Sequence, residues 1–445
     1  MQRLTTTALL AALATAGSAA ELAREQAVVG DKPVTVSSKD EITITARDDS
    51  DVKNRELWYS SFDGSAWGTW QKHGLSFARD AAITWAPPEG HWRIYVRIEE
   101  ISGQILPVPD ASTKPRASFI IDRTAPSVAV TWPSDGERLR GGQTYQVTWE
   151  AQDPHLHSTP ITILYARSGE EEPMVVAENI PNTGSYDWTT PFDMTATGKL
   201  EIVAADKALN RGSASVSGLV IDAIAPSRSI LGPSITNRRD NAIEIKTTDA
   251  GPAGMASVQL FYSTDDGANW TEGPRISEPP FTSIAFTAPA DGAYQLYLVA
   301  TDVAGNANPA PSGKAGAFSM LVDTEQPVIS LAKASGISAV GGDANRLVYK
   351  PGDKVQVAFA IKDANVKPDG ISVHFQAEEG ARWEQLAAGL PPTQAYEFAI
   401  PDISTSSARI KVSAIDLAGN SGEVISEQGF EIDNLVETGD VQVDL

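Results

Sequence analysis

Apolar and polar residues alternate in short runs along most of the chain. Val258, Leu260 and Tyr262 share one face of one stretch, and WRIYVRI, LEIVAAD, YQLYLVATD and RIKVSAID repeat the pattern elsewhere. A period of two marks strands with one buried side, and no long helical period interrupts it. Turn-forming clusters divide the runs into several short strands per hundred residues or so, the signature of β-sandwiches.

The runs fall into a repeated order. WYSSFDGSAW starts at Trp58, LYARSGEEEP at Leu164, FYSTDDGANW at Phe261 and HFQAEEGARW at His374. Each has an aromatic in second place (Tyr59, Tyr165, Tyr262, Phe375) and a glycine in the turn (Gly64, Gly169, Gly267, Gly380), with Trp67, Trp270 and Trp383 after three of them. An acidic residue beside glycine supplies the positive φ of a hairpin turn. Next comes an aromatic three residues before a proline, as in ITWAPP, YDWTTP, IAFTAP and YEFAIP, where proline ends the ladder at a corner. Tight turns ADKALN, ATDVAGN and AIDLAGN follow, with IEEISG as a degenerate first version. Closing strands end at Asp122, Asp222, Asp323 and Asp433, and Pro126, Pro226 and Pro327 open the next repeat.

These anchors predict sandwiches over 30–123, 124–223, 224–324 and 325–434, with a tail at 435–445. The expected fold is all-β: four tandem immunoglobulin-like β-sandwiches, and the short proline-stiffened links predict an extended array. The D-x-A-G-N turn, the I-D-x-x-A-P link and the F-Y-S-x-D-D-G hairpin resemble those of tandem bacterial immunoglobulin-like and fibronectin type III-like modules of exported proteins. WPSDGERLRGGQTYQVTWEA and AENIPNTGSYDWTTP in the second repeat are similar to the Ser-Thr-rich GPI-anchored-type cell-wall domain, a family linked with glucan-containing walls.

Composition narrows the function. With 57 acidic and 35 basic residues the formal charge is −22, which repels nucleic acid and anionic membranes and favours cations. Arg3, the apolar run after it and the small residues near Ser18 and Ala20 predict a cleaved signal peptide over 1–20. That run is too short and threonine-rich to span a bilayer. The expectation is an exported protein at the cell surface, outside the cell or in the periplasm, not inserted in the membrane after cleavage. No cysteine is present, so no disulfide braces the modules.

The modular resemblance implies that each sandwich receives its predecessor's closing aspartate beside two of its own loops. This groups Asp122 with Asp153 and Asp206, Asp222 with Asp249 and Asp302, and Asp323 with Asp363 and Asp416. Oxygen ligands from loops suit Ca²⁺, and the resemblance implies calcium-stiffened links. The same residues also suit turns, where they cap backbone groups. In the first repeat, Glu99 and Glu100 with Asp48, Asp49 and Asp51 offer a different set.

Half of the ten tryptophans lie in the first repeat. Trp67 and Trp70 are candidate glycan-stacking residues, whereas Trp58, Trp85 and Trp92 occupy strand positions expected to face inward. S-T-D-D-G-A-N-W has the spacing of an Asp-box, itself a structural turn, and its recurrence as a simple hairpin argues against a glycosidase. His155 and His157 lack a third zinc ligand, and no G-x-S-x-G elbow appears. The sequence thus points to a non-enzymatic structural, adhesion or assembly protein with a surface protein or glycan as partner, the alternative being a glycan-binding protein of wall or matrix.

Overall fold

A computed structural model describes residues 26–29, 32–44, 51–78, 82–314, 316–341, 347–393 and 395–434. The expected signal peptide, the tail, and Asp48 and Asp49 lie outside the described residues. Among these the fold is all-β, without a helix. Two compact units are present among the described residues: those up to 225 with 249–254 and 302–306, and 226–248, 255–301 and those from 307 on.

In the first unit, a six-stranded sheet (Gln26–Val29, Lys32–Ser37, Ala117–Ile121, Gly90–Glu100, Val52–Phe62, Gln71–Ala78) accompanies a two-stranded one (Ile42–Ile44, Ile83–Trp85). Leu57, Ile83, Trp85, Trp92, Ile94 and Ile121 form the core of this first sandwich. The second has a five-stranded sheet (Arg138–Arg140, Arg211–Asp222, Thr195–Asp206, Leu156–Ala166, Met174–Ile180) and a three-stranded sheet (Ser185–Thr189, Thr144–Gln152, Ser127–Trp132). In the second unit, five strands from Ile235–Thr236 to Phe318–Val322 and three from Ser227–Ile230 to Ser283–Thr287 make the third pair of sheets. The strands from Val328–Leu331 to Phe430–Ile432 make the last set.

Two repeated motifs meet in the cores. The hairpin aromatic packs on the aromatic of the proline corner: Tyr59 on Trp85 at 4.8 Å between ring centroids, Tyr165 on Trp188 at 5.3 Å and Tyr262 on Phe286 at 5.4 Å. Phe375 departs from this and packs on Phe430 at 6.3 Å. Gly64, Gly267 and Gly380 have the positive φ expected of their turns, and Gly169 does not.

The register corrects one sequence equivalence. Tyr59 pairs with Gln71, Tyr262 with Thr271 and Phe375 with Glu384. The residue before each partner is Trp70, Trp270 or Trp383, so Trp70 is the counterpart of the later tryptophans and Trp67 lies in a longer first hairpin. Trp70 and Trp270 each pack edge-on against a tyrosine one strand beyond the hairpin partner, Tyr95 and Tyr297.

A parallel pair recurs in every set of sheets: Ser37 opposite Ile121, Arg140 opposite Asp222, Thr236 opposite Val322 and Tyr349 opposite Ile432. It fixes the end of the closing strand, and with it the closing aspartate.

Candidate metal centres

Each of the three aspartate sets converges. In Asp122–Asp153–Asp206, Asp222–Asp249–Asp302 and Asp323–Asp363–Asp416, one oxygen from each carboxylate lies within 4.8 Å of the other two. Three local devices place them. The first aspartate ends a strand held by the parallel pair: Asp122 N donates to Ser37 O at 3.0 Å, Gly141 N to Asp222 O at 2.7 Å, and Asp323 N to Thr236 O at 3.0 Å.

The second aspartate opens a turn and accepts the amide two residues on. Asp153 Oδ1 takes His155 N at 2.6 Å, Asp249 Oδ1 takes Gly251 N at 3.0 Å, and Asp363 Oδ1 takes Asn365 N at 2.7 Å. The third ends the strands Thr195–Asp206, Gly292–Asp302 and Thr405–Asp416. Four residues later an asparagine closes its turn.

These asparagines are the site residues that the sequence reading missed. Asn210, Asn306 and Asn420 donate Nδ2 to the third aspartate's Oδ2 at 2.7, 2.8 and 2.7 Å. The same amide reaches the backbone carbonyl of the first aspartate at 2.8, 2.9 and 2.8 Å. One side chain thus ties two of the three carboxylate residues together. The signal was the asparagine that ends each of ADKALN, ATDVAGN and AIDLAGN, read as a turn former and nothing more.

The carboxylates repel one another in a dry setting. Asp206 and Asp222 are fully buried and Asp302 and Asp416 nearly so, and among the described residues no lysine or arginine forms an ion pair with any of the nine. At 4.8 Å, two such charges repel by about 3.5 kcal/mol at an effective dielectric near 20. Burial raises the Asp206 pKa, with Asp153 adding to the effect. It also raises Asp302, helped by Asp222 and Asp249, and Asp122, helped by Asp206 and Asp153.

The donors fit a hard cation. All are oxygens, and two ligands across a calcium ion at about 2.4 Å each lie about 4.8 Å apart. In the second set Asp249 Oδ2 is buried without a hydrogen-bond partner, although Asp222 accepts Ile224 N at 2.9 Å and Ala253 N at 3.0 Å. Asp122, Asp206, Asp222, Asp302, Asp323 and Asp416, with Asp153, Asp249 and Asp363, would hold the ion.

A pH dependence follows for the metal-free chain. A carboxyl with a raised folded pKa binds its proton more tightly folded than unfolded, so its contribution to stability falls as pH rises above the ordinary 3.8. In EDTA, neutralising Asp206 and Asp302 together as Asn is expected to flatten this loss as pH rises above 3.8. Melting curves across that range check it, and a slope unchanged by the double substitution would contradict it.

The other candidates resolve differently. In the first repeat, Glu99 is tied to Lys53 at 2.7 Å and to Asn54 at 3.0 Å. The Asp-box is a self-contained turn: Asp265 Oδ1 accepts Asn269 N at 2.8 Å, Oδ2 accepts Asn269 Nδ2 at 2.7 Å, and Ser263 Oγ donates to Oδ1 at 2.8 Å. These bonds, the Asn269 amide first, pull the Asp265 pKa down to about 2. None of the ligand clusters among the described residues includes His155 or His157.

Trp85 and Trp92 are in the core as expected, but Trp58 is not. Leu57 and Tyr59 on either side of it pack on the core, so strand alternation turns Trp58 to the outer face. Trp67 and Trp70 clasp the Arg93 guanidinium, whose carbon lies 4.7 and 4.5 Å from their ring centroids. Trp67 also packs edge-on against His91 at 4.7 Å. The ring faces that a sugar would need are largely engaged by the module itself.

The hairpins, proline corners and parallel closing pairs are those of immunoglobulin-like sandwiches. Residues 132–217 match the Kre9/KNH-like N-terminal Ig-like domain. Among solved structures, the chain is similar to the fibronectin(III)-like modules of Clostridium thermocellum CbhA (15% identity, 44% of this chain and 94% of that one, TM-score 0.28). It is also similar to three N-terminal domains of the bacteriophage RB49 highly immunogenic outer capsid protein (10%, 70% and 100%, 0.35). A third is a 1.5-MDa bacterial ice-binding adhesin (14%, 70% and 99%, 0.28). At these TM-scores none bears on what the chain does. No curated protein matches it. Among the described residues no helix is long and apolar enough to cross a membrane, which says nothing of strands.

Proposed function

We propose that the chain is an exported, non-catalytic structural or adhesion protein whose immunoglobulin-like modules are stiffened by Ca²⁺ at the three aspartate centres. The observation that carries this is the recurrence of one three-carboxylate set, two members buried and one half-buried, with the same asparagine clamp. Turn formation alone explains one acid per loop, but not three acids facing one another. A cation would convert that repulsion into attraction and fix the closing aspartate against both loops. The likeness of the second repeat to a cell-wall domain supports a place at the cell surface.

The test is calorimetric unfolding in EDTA, magnesium and calcium. Ten times the dissociation constant adds about 1.4 kcal/mol for one site in a module, so a calcium-specific rise in Tm is expected. A profile that calcium leaves unmoved would leave the aspartates as turn residues and remove the metal from the proposal. The second reading, glycan binding, draws its support from the outer face of the first sandwich.

A further inference from the structure

We infer that the outer face of the first sandwich binds an acidic saccharide, with Arg93 receiving its carboxylate and Trp58 supporting its ring. This deepens the adhesion reading and rests on it for a partner class, but requires no calcium. A groove of about 430 Å³ there is lined by Trp58, Trp67, Thr69, Trp70, Arg93 and Asp110, among others.

Arg93 is the unusual member. It is only 8% exposed, its Nε is buried without a hydrogen-bond partner, and among the described residues its guanidinium has no carboxylate or carbonyl acceptor. Burial lowers its pKa. The two indoles lie against the guanidinium and supply cation–π attraction, which satisfies none of its N–H donors. A planar fork of donors without an acceptor matches a carboxylate in its own plane.

The rest of the groove suits a sugar. Trp58 is half-buried and has no ring partner among the described residues, its Nε1 being turned to Glu56 at 3.3 Å, so its ring is free to meet the apolar face of a pyranose. Thr69 supplies a hydroxyl. Trp70 Nε1 donates to Asp110 O at 2.8 Å, and Asp110 Oδ1 is held by Ser112 and Thr113 at 2.7 and 3.0 Å, which fixes that wall. A uronic-acid residue carries both elements, a ring and a carboxylate. The chain's overall negative charge opposes a polyanion at a distance, but at 0.15 M salt that field is screened over about 8 Å; inside the groove the like charge is the Asp110 carboxylate, already engaged by the Ser112 and Thr113 hydroxyls, and the Arg93 fork has to outweigh it.

The probe is trigalacturonate, titrated calorimetrically into the full chain in EDTA at 0.15 M salt, with neutral laminaritriose as control. Binding of the acidic trisaccharide alone is expected, weakened at least ten-fold by Arg93→Lys, which keeps charge but loses the fork, and by Trp58→Ala at the half-buried ring. Melting curves of both variants verify folding. Absence of trigalacturonate binding, equal binding of the neutral sugar, or binding unchanged in both variants would overturn the inference, as would capture of a glutamate-rich peptide in place of the saccharide. The calcium centres are left intact, so their melting response separates failure here from failure of the metal reading.

Discussion

Asn306→Ala is expected to destabilise the chain by about 3 kcal/mol in EDTA. The side chain is almost wholly buried and its Nδ2 serves both Asp302 Oδ2 and Asp222 O. Truncation leaves a buried carboxylate oxygen and a buried carbonyl without their donor, each worth about 1–3 kcal/mol. In a module of this size about 3 kcal/mol lowers Tm by 12 °C or more. If the proposed calcium site is real, part of the loss should return in calcium, because the cation would take up the freed Asp302 oxygen. Calorimetry in both conditions measures the difference, and a loss under 1 kcal/mol would show that the clamp is incidental.

Gly251→Ala should silence one centre and spare the other two. Gly251 follows Asp249 in its turn, and a methyl group there would land on the Asp222 carboxylate. That carboxylate has no room to retreat, being fully buried and held by the amides of Ile224 and Ala253. Overpacking of this kind costs about 1–3 kcal/mol. Calcium titration should then lose one site in three, while the Asp122 and Asp323 centres respond as before. Unchanged stoichiometry would mean that the ion, if bound, does not use Asp222.

Much of this was legible in the chain because repeats print the same physics several times. Alternation gave the strands, and acidic-glycine and aromatic-proline pairs gave the turns and corners. The three aspartate sets came from the resemblance to tandem immunoglobulin-like modules, which implies which loops lie beside the preceding repeat's closing aspartate. Two things were not legible for local reasons. Trp67 and Trp70 are close enough in sequence to be confused, and only strand pairing shows which is equivalent to Trp270. Trp58 looked like a core residue because tryptophan is large and apolar, yet its neighbours Leu57 and Tyr59 already held the inner face. The asparagine clamp escaped notice because its role depends on a carbonyl more than eighty residues away, a distance over which composition carries no signal.

The closing aspartate has a bearing on how such a chain can lengthen. Asp222 belongs by its strand to one sandwich and by its carboxylate to loops that come later in the chain, at Asp249 and Asp302. A gene segment copied from one sheet boundary to the next would leave the first aspartate behind. The segment that transmits an intact aspartate set instead starts at the closing aspartate of one repeat and runs through the asparagine turn of the next, as from Asp222 to Asn306. The heritable unit and the folding unit are therefore out of phase by one link, and a duplication keeps its centre only when it inherits an aspartate from the repeat before it.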